Sequence, residues 1–442
     1  MSPHRSLDLP VDRRTFLRSG SGALFLGPMA LMGLYGKNGR SRVEPNGRAH
    51  EGSSFRRAHE ILAVAVERGV VPGAVSLISW RGETAIDAIG NMAFGASTAM
   101  RRDTIFRIAS MTKSITAAAV MVLVDDRKIQ LDDAVDRFLP ELADRRVLRR
   151  IDGPLDDTVP SIRPVTVRDL LGFTWGFGLL FPLDVLPIQK AASALGVSQK
   201  LPLPAALTPN EWIRRLGTLP LMYQPGERWL YHTGADVLGV LVARASGQPF
   251  ESFLRERLFE PLGMRDTDFS VPASKLDRLP TVYVQTPSSK TLAINDAVGP
   301  NVMSHAPGFP SGAGGLVSTV DDYVAFARML LARGVFGGER ILSARSAELM
   351  TSDHLTDQQK AKSGLYPGFF ASRGWGFGLT VFDRPDEISS MPGRYGWDGA
   401  FGTSWYNDPT KDLVVILMTQ RTMDEASPAP AFWKAVYRSL EG

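Results

Sequence analysis

Strand-like runs sit at the two ends of this sequence, and helix-like runs fill its middle. Near the N-terminal end, "GAVSLISWRGETAIDAIG" reads as two strands, Ala74–Trp80 and Thr84–Ile89, joined by Arg81 and Gly82. Near the other end, the segments Trp375–Phe382, Gly393–Gly399, Gly402–Asp408 and Asp412–Gln420 carry strand composition, and a helix is expected from about Pro430. Helical spacing of Ile61, Leu62, Ala65 and Val66 precedes the first hairpin, and further helices are expected from Ser110, Thr166 and Thr208. The simplest packing joins both ends into one antiparallel sheet flanked by helices, an α/β (α+β) fold with an inserted, mainly helical domain. The sheet domain is expected at 55–105 plus 300–442 and the helical domain at 106–299, with the Pro-rich stretch Phe181–Pro209 as a loop or lid.

With 442 residues, 44% of them hydrophobic, the chain can bury a large core and is not disordered. The formal charge of +4 includes four Arg and two Asp within residues 1–36, so the remainder carries only +2 and no nucleic-acid partner is implied. The basic cluster Arg145–Arg150 reads as a solvated helix face. Cysteine is absent, which excludes thiol catalysis, thiolate zinc sites and disulfides. The six histidines form no His-x-x-x-His pair, so neither a metal nor a cofactor is expected. In residues 1–36, Arg13-Arg14 followed by Phe16-Leu17 and an apolar, Gly-spaced run resembles a twin-arginine export signal, with 37–54 as a linker. The run is short for a membrane span. The expected partner is the twin-arginine export machinery, and the expected location is periplasmic or extracellular, with no stable span in the mature chain.

Three stretches carry groups suited to chemistry. Ser110 and Lys113 share a helical face, so an amine desolvated there can take the proton of the hydroxyl; Ser110 is equally a common helix cap. In "QPGERWLYHTGADVLG", Tyr231 stands at an element boundary where a phenol can shuttle protons, or can simply pack against the helix. His232 reads as a neighbour of the site, and Thr233 with Asp236 fits a capping box. In "YGWDGAFGTSWYNDP", Gly396, Gly399 and Gly402 leave little bulk along a strand, so a substrate can reach a backbone N–H; the same glycines also suit a hairpin turn.

In this order and spacing, the three stretches resemble the motifs of the serine β-lactamase and penicillin-binding-protein superfamily: Ser-x-x-Lys, a Tyr-x-Asn variant, and a variant of Lys-Thr-Gly or His-x-Gly. Further matching stretches include "VPGAV", "TVRDLLGFTWGFG", "FEPLGMRDT" and "GAGGLVSTVDDYVAFARMLL", and the likeness runs from about Phe55 to Gly442. It is strongest to class C-like serine hydrolases, above all carboxylesterases of that fold. The resemblance implies a β-lactamase/transpeptidase-like fold, Ser110 as the acylated nucleophile, Lys113 and Tyr231 as its proton-transfer system, and the backbone N–H groups of Ser110 and Ala400 as an oxyanion hole. Trp397, Asp398 and Gly399 occupy the third motif.

The departures bear on substrate. Relatives that take β-lactams or D-peptides usually carry a polar or cationic residue at Trp397, and Asn at Thr233. An indole offers one N–H and a broad apolar face, which suits a neutral ester better than an anion. Trp397, Gly399, Thr233 and Trp175 are therefore candidate substrate contacts. Phe173, Trp175, Phe177, Leu179, Leu180 and Phe181 suggest an apolar acyl or alcohol pocket, although a plain core fits them equally. The expected substrate is a small-molecule ester, with a β-lactam or D-peptide as the alternative and an inactive binding homologue as a further one. A conventional α/β-hydrolase would need a Gly-x-Ser-x-Gly elbow, which is missing.

Overall fold

The computed structural model describes residues 55–198, 207–285, 291–297 and 302–441. The export-signal and linker segments lie outside the described residues. A seven-stranded antiparallel sheet unites the two ends of the chain. Its strands are Gly73–Trp80 (β1), Glu83–Gly90 (β2), Gly374–Trp375 (β3), Thr380–Val381 (β4), Tyr395–Gly399 (β5), Thr403–Asp408 (β6) and Leu413–Met418 (β7), in the spatial order β3-β4-β5-β6-β7-β1-β2. The seam between the ends is β1 against β7, registered from Val75 opposite Met418 to Trp80 opposite Leu413.

β7 is buried on both faces, which is why "LVVILM" lacks polar alternation. Val414, Ile416 and Met418 face the main core with Val75 and Leu77 of β1. Leu413, Val415 and Leu417 face a second core with Ala74 and Ile78, closed by Arg56–Glu67 (α1) and the C-terminal helix Ala429–Ser439. Burial of each such aliphatic side chain contributes about 1.5–3 kcal/mol.

On the main-core side runs Thr112–Asp125 (α2), whose residues from Thr112 to Leu123 are all buried. A helix buried all round needs side chains that are apolar or satisfied by partners. Thr112 accepts from the Leu316 N–H at 3.2 Å, Ser114 donates to the Gly378 carbonyl at 2.9 Å and Thr116 to the Gly312 carbonyl at 2.7 Å. Val167–Leu171 (α3) carries a reciprocal capping box between Thr166 and Asp169. Thr233–Ser246 (α4) packs on α2 and ends at Gly247, in the left-handed conformation. Val320–Leu331 (α5) lies against β7.

Several expectations are corrected. Trp375–Phe382 is not one strand but the short pair β3 and β4, because Gly378 at φ +74° turns the chain back. The Arg145–Arg150 cluster is no helix face: Arg146–Leu148 pairs with Thr158–Pro160, and Arg145 is buried, donating to the Gly217 and Leu219 carbonyls. Within the stretch read as loop or lid, Pro187–Ala194 is helical, while 199–206 lie outside the described residues. No helix among the described residues is long and apolar enough to cross a membrane.

Candidate active site

Ser110 lies in a 3-10 turn, Ala109–Met111, immediately before α2. Ala109 holds φ +44°, a conformation uncommon for a non-glycine residue and a frequent mark of functional sites. Met111 occupies the cap position of α2 and no side chain caps it, so the Ser110 hydroxyl is not spent as a helix cap. The turn is braced by the Tyr323 hydroxyl, which donates to the Met111 carbonyl at 3.1 Å. On the other side Gly399 of β5 presses on it: a Cβ at Gly399 would collide with the Ile108 carbonyl oxygen. Gly399 is thus a close-approach glycine, whereas Gly402, at φ +78°, serves the turn into β6. Ala400 follows Gly399 in that turn and is exposed.

The Lys113 ammonium is 1% exposed and has three neighbours: Ser110 Oγ at 3.0 Å, the Ala313 carbonyl at 2.5 Å and His232 Nδ1 at 3.3 Å. It also lies over the Tyr231 ring, 4.6 Å from the centroid. Desolvation pushes the Lys113 amine down to about 7, against the attraction of Asp236. Burial pushes the Tyr231 phenol far above its usual range, opposed by hydrogen bonds with Ser110 and Trp397. The Trp397 indole donates to the phenol oxygen at 2.8 Å. Aromatic rings enclose that phenol: Trp229 stacks at 5.5 Å, with Trp397 at 5.6 Å, Phe173 at 5.9 Å and Trp375 at 6.2 Å.

Tyr231 reaches the site through a γ-turn at His232, φ +80° and ψ −71°, closed by the Thr233 N–H on the Tyr231 carbonyl at 3.2 Å. The capping box read for Thr233 and Asp236 does not form. Helix α4 begins at Thr233 without a side-chain cap, and Asp236 turns away to accept from Ser311 Oγ at 2.6 Å and the Ala313 N–H at 3.0 Å. Burial raises the Asp236 carboxyl to about 6, against those hydrogen bonds. Burial and the neighbouring Lys113 hold His232 well below the ordinary imidazole value, which favours its neutral form.

Thr233 also lines an apolar groove with Phe177, Leu179, Leu180, Leu183 and Met222. The Leu179 N–H donates to the Tyr231 carbonyl at 2.9 Å, so the groove wall is tied to the Tyr231 backbone, while the Ser110, Lys113 and Tyr231 side chains do not line it. Trp175 does not line it; its ring is 1% exposed in the main core, against Gly234 of α4. Phe173 belongs to the aromatic wall around Tyr231. Among the sequence candidates, Ser110, Lys113, Tyr231 and Trp397 converge, Gly399 abuts the Ser110 turn, and Trp175 stands apart. The sequence reading missed the Asp236 contacts and the aromatic wall of Trp229, Trp375 and Phe369. Their only sequence signal was aromatic density near Tyr231 and in "GLYPGFFASRGWGF".

Residues 58–436 match the family model described as Beta-lactamase. Protein Rv1367c of Mycobacterium tuberculosis is 40% identical over 372 residues, covering 83% of this chain and 90% of its own. Esterase EstB of Burkholderia gladioli is 30% identical over 382 residues, 82% of this chain and 88% of its own. Among solved structures, EstCE1, described as a hydrolase with promiscuous acyltransferase activity, superposes with a TM-score of 0.72 at 25% identity over 87% of this chain and 98% of that one.

Proposed function

The chain belongs to the beta-lactamase family, and from that premise we propose that it is an exported serine hydrolase that cleaves neutral carboxylic esters through an acyl-enzyme on Ser110. As pH rises through about 7, Lys113 increasingly becomes a free amine because burial disfavours its ammonium, so it can take the Ser110 proton as the hydroxyl attacks the ester carbonyl. Tyr231 keeps its proton in its apolar enclosure and is placed to pass one to the departing alcohol. The N–H groups of Ser110 and Ala400 hold the oxyanion, and water then releases the acid.

The observation that carries the preference for esters is the Trp397–Tyr231 hydrogen bond at 2.8 Å. The third-motif side chain spends its one donor on the phenol and offers the substrate no charge. The described hydrogen bonds of Ser110, Lys113 and Tyr231 involve no arginine either. An anionic substrate would find no charge-assisted partner in the Trp397 side chain. The apolar groove supports an aliphatic acyl or alcohol group. Export by the twin-arginine route is part of the proposal and rests on Arg13-Arg14 and the apolar run behind it.

The test pairs the purified protein with Ser110→Ala on p-nitrophenyl butyrate and on a chromogenic cephalosporin. The proposal expects ester turnover that the substitution abolishes, with slow lactam turnover. Faster lactam than ester turnover would overturn the substrate assignment, and ester turnover surviving in Ser110→Ala would overturn the mechanism.

A further inference from the structure

Neighbouring residues in an extended segment point to opposite sides, yet Tyr231 and His232 both face the Lys113 amine. The γ-turn at His232 makes this possible, and a conformation that costly persists only where its surroundings fix it. What fixes it here lies on both sides of the imidazole. Nδ1 is 3.3 Å from Lys113 Nζ, and Nε2 is 3.6 Å from Asp236 Oδ2. The other oxygen of Asp236 is committed to Ser311 and to the N–H of Ala313, the same residue whose carbonyl takes Lys113.

Hydrogen-bond valence then orders the cluster. The Asp236 carboxylate lies 3.6 Å from Nε2, beyond hydrogen-bond length, so it acts by charge: when ionised it favours the His232 tautomer with its proton on Nε2, which leaves Nδ1 as an acceptor. A free amine has two N–H bonds and one lone pair. The Ala313 carbonyl and His232 Nδ1 take the two N–H bonds, and the lone pair is left for the Ser110 hydroxyl. We propose that His232, oriented by Asp236, is a positioning residue that turns the lone pair of Lys113 onto Ser110. This rests on the ester-hydrolase reading above. In the step itself the Ser110 O–H bond breaks as an N–H bond forms on Lys113, and the serine oxygen bonds to the acyl carbon while the carbonyl π pair moves onto the carbonyl oxygen as the tetrahedral oxyanion. The resulting ammonium has three N–H groups for three acceptors, and His232 neither gains nor loses a proton. The ionisable groups facing Lys113 and His232 are Tyr231 on the preceding segment and Asp236 on α4. From β5, Trp397 meets the Tyr231 phenol, and Asp398 acts on Tyr231 by charge.

The experiment measures the acylation rate of Ser110 by p-nitrophenyl acetate between pH 5 and 9 for the full protein, His232→Ala, Asp236→Asn and the double variant. Each single variant is expected to lose about 30- to 100-fold in acylation at pH 8, as misorientation of a reacting group does, with KM changed less than about threefold. In Asp236→Asn the side-chain carbonyl can still accept from Ser311 and Ala313, but the new NH2 group would favour the other His232 tautomer. The double variant is therefore expected to be no slower than the slower single one. In His232→Ala the acid limb of the rate profile moves to higher pH, because water reaches the ammonium, and added imidazole restores part of the rate. Either single variant within about threefold of wild type with an unmoved limb, or a double-variant loss equal to the product of the singles, overturns the proposal. If His232→Ala does not fold, the rate and limb of Asp236→Asn decide. Ester turnover that survives Ser110→Ala takes down the parent reading instead, whereas a wild-type rate in His232→Ala sinks only this one.

Discussion

Trp397→Phe isolates one hydrogen bond in the site. Phenylalanine keeps a ring on the same strand face, so edge contacts of the kind Trp397 makes with Trp375 at 4.7 Å and with Tyr231 at 5.6 Å remain available. What goes is the indole N–H, 2.8 Å from the phenol oxygen. In the resting site that bond joins two neutral groups and contributes about 1 kcal/mol net. While Tyr231 passes its proton, the oxygen gains negative charge, and a bond to a charged acceptor contributes about 1.5–3 kcal/mol. Only the difference between the two, about 0.5–2 kcal/mol, raises the barrier, which corresponds to a drop of about 2.3-fold to about 30-fold in kcat/KM. It should appear in kcat, with KM nearly constant, because the donor never touches the substrate. Steady-state rates on p-nitrophenyl butyrate at pH 8 measure this directly. A kcat within about twofold of wild type would refute the reasoning, and a raised KM with unchanged kcat would make Trp397 a binding wall only.

Lys113→Met should abolish turnover yet raise the melting temperature. The folded amine, pushed to about 7, lies below its ordinary 10.5, so the unfolded chain binds more protons across that window and stability rises with pH from about 7 to about 10.5. At neutral pH the burial costs up to about 4 kcal/mol, and a methionine that melted lower than wild type would contradict this. For the same reason wild-type kcat/KM should fall about tenfold per pH unit below the Lys113 value; a flat profile from pH 5 to 8 would remove Lys113 as the base. Gly399→Ala puts a methyl against the Ile108 carbonyl and should cost at least about 100-fold in kcat by displacing the Ser110 turn; activity near wild type would show that the turn can yield. Leu180→Trp, which fills the apolar groove, should slow a p-nitrophenyl octanoate more than the acetate; an equal effect on both would place the acyl chain elsewhere.

What the sequence revealed follows from the range of the forces involved. The first hairpin, β6 and β7 were legible to within one or two residues because alternation or continuous burial marks them locally. The pair β3 and β4 was not, since one glycine in a left-handed conformation overrides a run of strand formers. That Ser110, Lys113 and Tyr231 would lie together was legible through the resemblance of their three stretches to one family's motifs, not through the spacing of any one of them. The role of Asp236 was hidden because its partners, Ser311 and Ala313, stand 75 and 77 residues away, and a local capping box from Thr233 to Asp236 explains the same letters. The burial of Trp175 and the stacking of Trp229 on Tyr231 are likewise decided by tertiary packing, which leaves no period in the sequence.

The registration of β1 against β7 also sets an order of events during synthesis. The ribosome makes β1 some three hundred residues before β7, and until then β1 has only β2 for a neighbour. A lone hairpin of this kind is marginally stable in water. The strand that presses Gly399 against the Ser110 turn belongs to the same late group, so that turn is seated only after nearly the whole chain has emerged. A nascent chain stopped before Asp412 should therefore remain protease-sensitive throughout, its apolar β1 waiting for chaperones, and the finished protein should gain its fold and the seating of Ser110 in one late step.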